Sequence, residues 1–82
     1  MLLKVFSIYD SKAEAFLQPF FSKTKGDAIR SLTDLVNDDK HNFCKYSEDF
    51  TLFECGTWDD GSSIFNLHTA PTSVISFLEL KK

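Results

Sequence analysis

The sequence is short of the residues that break or staple a chain. It has three glycines, two prolines and two cysteines, and no apolar run of the length a bilayer-spanning helix needs. The isolated glycines exclude a phosphate-cradling loop and a dinucleotide fingerprint, and neither G-x-S-x-G nor H-E-x-x-H occurs. Two cysteines are too few for the disulfide framework of a small secreted scaffold. The opening MLLKVFSIYDSK turns polar within a few residues and has no cleavage pattern, so no signal peptide is read there and both thiols are expected reduced. His41, Cys44, Cys55 and His68 match no compact zinc-finger spacing. Cys44 and His41 lack a third group to orient a nucleophile and base. No catalytic residue, metal or cofactor is expected. Positive charge is also scarce, 9 basic against 12 acidic residues, which argues against non-specific duplex binding.

What is present is apolar and aromatic. Among 82 residues, 43% are apolar and nine are phenylalanine, a composition that excludes disorder and fits one domain over residues 1–82. A chain of this size buries about 60% of its unfolded surface, so its stability margin is thin and a homodimer would widen it. Charge is uneven. Residues 1–45 net +1 and residues 46–82 net −4.

The pattern predicts an α+β domain in the order ββαββ: a small antiparallel sheet of about four strands, one main helix and a short C-terminal helix. Leu2–Tyr9 is apolar on both faces, as in a central or covered strand. Ala13–Phe21 reads as an edge strand that leaves the sheet at Pro19. Thr24-Lys25-Gly26-Asp27 has capping-box spacing, and Ala28, Ile29, Leu32, Leu35 and Val36 then form one helical face, predicting a helix over 25–36. Residues 37–49 read as a polar connection anchored by Phe43 and Tyr46. Phe50–Trp58 and Ser63–His68 read as a hairpin turned by Asp59-Asp60-Gly61-Ser62. Thr72–Leu80 fits a short helix with Pro71 in its first turn, although its alternation also permits a strand.

One surface has the composition of a single-strand binder. Lys12, Lys23, Lys25 and Arg30 lie within nineteen positions, interleaved with Phe16, Phe20 and Phe21. Lys25 and Arg30 flank a helix start, where free N–H groups attract phosphate. Phe20 and Phe21 cannot both face one core, so Phe21 is the candidate stacking ring and Trp58 a second. The expected contact set is Lys12, Phe21, Lys23, Lys25 and Arg30.

The strings VFSIYDSKAEAF, PFF, KGDAIRSLTDLVND, the spaced K-Y-S-E-D-F-T-L-F-E-C-G and WDDGSS, in that order over roughly residues 3–71, resemble the small nonstructural protein of gokushoviruses, single-stranded DNA phages of the Microviridae. The resemblance implies a nonstructural, DNA-binding role in genome replication or in the switch to single-strand synthesis and packaging, carried out in the host cytoplasm. It supplies no catalytic residue. The chain departs from the family pattern at Ser47, where proline is usual. Two functions follow as expectations. One is a dimeric single-stranded DNA-binding accessory protein. The other is an interaction module for a phage or host protein that uses the acidic hairpin and the exposed sheet.

Overall fold

A computed structural model describes all residues, 1–82. Five antiparallel strands form one curled sheet: β1 (Leu2–Asp10), β2 (Ala15–Phe16), β3 (Phe20–Ser22), β4 (Phe50–Asp59) and β5 (Ile64–Ser76). The order is β2-β1-β4-β5, and β3 pairs with β1 on the same side as β2. The helices are α1 (Lys25–Val36), α2 (Asn42–Lys45) and α3 (Phe77–Leu80), with a 3₁₀ turn at Ser47–Asp49 between α2 and β4. This is the α+β architecture that the sequence predicts.

Helix α1 begins where its cap dictates. The Thr24 hydroxyl accepts from the Asp27 N–H at 3.0 Å, and Asn37 closes the far end. Its Ala28, Leu32 and Val36 are buried against Phe6, Ile8 and Leu52 of the two central strands. Leu32 and Val36 each contribute about 1.5–3 kcal/mol on burial, and the Ala28 methyl less. Leu35, expected in that stripe, is 36% exposed instead. The connection after α1 is not the plain loop expected. It folds into α2 and the 3₁₀ turn, and Phe43 packs on Phe50 and Phe77 at ring distances of 4.9 and 5.0 Å. Tyr46, the other expected anchor, is exposed.

The edge beside β1 departs from expectation in another way. The chain leaves the ladder at Leu17 and rejoins it at Phe20, so Pro19 interrupts an edge strand without ending it. Proline lacks the N–H a ladder needs, and the gap falls where that donor is missing.

The last strand is the main correction. It continues through Pro71 to Ser76, and α3 starts only at Phe77. Glu54 pairs with Thr72 and Gly56 with Leu67, so residues 68–71 bulge opposite Cys55 alone. That bulge is what lets a proline sit inside the strand. Gly56 makes the close approach possible. Its φ is +152°, and a Cβ there would collide with the Asn66 carbonyl oxygen and lie 2.7 Å from the Leu67 Cα. The hairpin turn covers Asp60–Ser63, one residue later than the sequence suggests, with Ser63 at φ 60°.

Candidate nucleic-acid interface

The two faces of the sheet differ. Phe6, Ile8, Phe50 and Leu52 point to the face that α1 and α3 cover. Residues of the opposite parity point the other way, and no helix covers them. Cross-strand pairing fixes which side chains share that second face: Leu3 with Trp58, Trp58 with Phe65, Val5 with Phe21 and Gly56, Gly56 with Leu67, Ser7 with Phe53, and Tyr9 with Phe16.

These side chains form two aromatic groups. Near the start of β1, Phe21 meets Trp58 edge-on at 5.2 Å and Phe65 at 6.2 Å. Near its end, Phe16 lies 4.9 Å from Tyr9 and 5.3 Å from Phe53. Val5 and Ser7 lie beneath and between them and are buried. The upper rings stay accessible, with Phe16 46%, Phe21 40% and Phe65 49% exposed. Edge-to-face packing fixes such rings and leaves π-faces free to stack.

Phe21 and the three expected lysines lie on this strip or at its ends rather than in one patch, and Arg30 does not. Phe21 is exposed and belongs to the first aromatic group. Lys23 follows it by two residues, just past β3, and Lys25 opens α1; both are exposed. Lys12 lies in the turn after β1, at the end of the strip that carries Tyr9 and Phe16. Six β1 residues separate the level of Ser22 from that of Ala15, about 20 Å along the strand. The structure therefore parts Lys12 from Lys23 and Lys25 and sets them at opposite ends. Arg30 is not part of the strip. It is exposed on α1, which covers the other face. Tyr9, Phe53, Phe65 and Leu67 are strip residues outside the expected set. The alternation within each strand was the available signal, but only the cross-strand register joins them.

The charged groups of β1 and β4 lie on the opposite side of the sheet, with the parity of Phe6. The His68 Nε2 is 2.8 Å from Glu54 Oε2, and Lys4 Nζ is 3.6 Å from Glu54 Oε1. The His68 hydrogen bond, reinforced by the Lys4 charge, holds the Glu54 carboxyl below its usual range against the opposing effect of burial. Cys55, beside it, is pushed up by burial and by the Glu54 charge, and both cysteines are free thiols. At the hairpin, the Met1 ammonium donates to Asp60 Oδ1 at 2.8 Å. Asp59 is held low first by the Gly61 N–H and then by that ammonium. The acidic turn is thus partly neutralised from within the chain. A cleft of about 300 Å³ is lined by Asp10, Lys12, Asn42, Tyr46, Asp49 and Phe50. It brings together no catalytic constellation. No group of three or more His, Cys, Asp or Glu side chains is placed to hold a metal ion. No helix is long and apolar enough to cross a membrane.

A family model described as "Phage ORF5 protein" matches residues 3–80. No curated protein and no solved structure matches the chain.

Proposed function

The chain belongs to the phage ORF5 protein family, and from that premise we propose that it is a non-enzymatic, nonstructural protein of a gokushovirus-like phage that binds single-stranded DNA in the host cytoplasm. Its role on this reading is accessory to genome replication or to the switch to single-strand synthesis and packaging. The observation that carries the proposal is the aromatic strip on the helix-free face, with exposed Phe16, Phe21 and Phe65 and lysines at both ends. Bases of any identity stack on such rings, at about 1–3 kcal/mol per base. Lys23 and Lys25 at one end and Lys12 at the other engage the backbone, while the acidic remainder of the chain limits non-specific attachment.

Titration of a labelled oligonucleotide tests this. Wild type should bind single strands at low salt and prefer them to duplex. Phe21→Ala should weaken binding at every salt concentration, by about tenfold or more. Lys23→Glu with Lys25→Glu should abolish it, and Arg30→Glu should change it little. Failure of wild type to bind at low salt would overturn the proposal. It would favour the second reading, in which the same face docks a phage or host protein. The net charge of −3 is what supports that alternative.

A further inference from the structure

The two edges of the sheet are treated differently by the sequence. The edge formed by β2 and β3 is short, broken at Leu17–Pro19, and flanked by Lys12 and Lys23. Those are the usual devices that stop an edge from recruiting another strand. The β5 edge has none of them over its first four residues. Nothing lies beyond β5 in the sheet, and alternate backbone N–H and C=O groups of an edge strand point outward. From Gly61 to Leu78 the chain contains no Asp, Glu, Lys or Arg. Ile64, Phe65 and Leu67 are 58%, 49% and 64% exposed. Phe65 and Leu67 pair with Trp58 and Gly56 on the aromatic face, whereas Ile64 pairs with Asp59 on the other. An uncharged edge with exposed apolar side chains is a template for another strand.

We propose that residues 65–67 of β5 pair antiparallel with the same residues of a second copy, about a two-fold axis at Asn66. The occupant is a second copy because the edge is self-complementary in charge. A two-fold axis sets each residue against its own kind or a near neighbour, and like charges directly opposite are destabilising. Each chain carries −3 overall, yet two copies meeting here bring no charged side chains together. An axis through Asn66 perpendicular to the sheet keeps the faces matched. Phe65 of one copy then opposes Leu67 of the other, and the two aromatic faces join into one surface. Pro71 and the bulge at 68–71 limit the pairing to this short segment. The assembly is independent of any DNA role.

Sedimentation or light scattering without DNA, at tens of micromolar, provides the test. Wild type should have twice the 9.4 kDa chain mass. Asn66→Asp and Asn66→Lys, each at an exposed position, should each run as folded monomers, because each sets like charges across the axis. Mixing the two variants should restore the doubled mass. A monomeric wild type, or dimers of either variant alone, would overturn the proposal. Should a variant fail to fold, amide exchange of wild type decides. Protection of the outward-pointing amides among residues 65–67 that is lost on dilution supports the pairing, and outward-pointing amides that are unprotected, or protected at every concentration, refute it.

Discussion

The Ser7 hydroxyl donates to the Leu17 carbonyl at 2.8 Å, at the point where the edge strand beside β1 is broken. The Leu17 N–H reaches the Ile8 carbonyl at 2.8 Å. Together they hold the irregular segment that joins β2 to β3, and so position Phe16 on one side of the break and Phe21 on the other. Ser7 is 5% exposed and the bond is partly buried, so removing the hydroxyl takes away the Leu17 carbonyl's side-chain donor. Ser7→Ala should cost about 1–3 kcal/mol in denaturant unfolding, with the largest chemical-shift changes at residues 16–20. A variant as stable as wild type would show that the contact does not hold the break.

The helix makes a sharper contrast. Leu32 is 5% exposed and Leu35 is 36% exposed on the same stripe. Leu32→Ala should cost about 2–5 kcal/mol, which is most of the stability of a domain this small. Leu35→Ala should cost less than about 1 kcal/mol. Equal losses in thermal unfolding would mean that the burial read for α1 is wrong.

What the sequence revealed was local. The Thr24 cap, the period of Ala28, Leu32 and Val36, and the Asp-Gly turn each act within a few residues, and the helix spans Lys25–Val36 as predicted. What stayed hidden depended on register. Pro71 argued for a helix because proline suits a helix's first turn, whereas in this strand it sits in a bulge set by Cys55 and Gly56, far away in sequence. An isolated glycine in a strand pattern was the one available sign of it. The placement of the candidate residues was half legible for the same reason. The exposure of Phe21 followed from its neighbour Phe20 facing the core. The separation of Lys12 from Lys23, and the placement of Arg30 behind the sheet, required the strand pairing and the helix layer.

Gly56 has a measurable cost attached. At φ +152°, any side chain is strained and its Cβ meets β5 backbone rather than a movable side chain. Gly56→Ala should lose about 1–3 kcal/mol from conformation and a similar amount from displacing β5. Unfolding by urea should show it, and a near-neutral result would place the β4–β5 approach elsewhere.

Glu54 sets an acid limit. Its folded carboxyl is held low, chiefly by the His68 hydrogen bond and then by Lys4. A carboxyl depressed on folding contributes stability that is complete above its unfolded pKa and lost as pH falls through the folded one. Melting temperatures followed downward from pH 6 should therefore drop as Glu54 takes up its proton. Glu54→Gln should flatten that part of the curve while being less stable near neutrality. Parallel curves for variant and wild type would exclude the contribution.

The most direct measurement uses Trp58, the single tryptophan, which lies 5.2 Å from Phe21 in the aromatic strip. An oligothymidine that stacks along that face changes the environment of the indole. Its fluorescence should change saturably at about 50 mM salt. Three engaged phosphates give a log–log salt slope of about −2, so binding should weaken by about tenfold to twentyfold at about 200 mM salt. An unchanged Trp58 signal at low salt, with the oligonucleotide free in a parallel titration, would contradict the assignment of this face to single-stranded DNA.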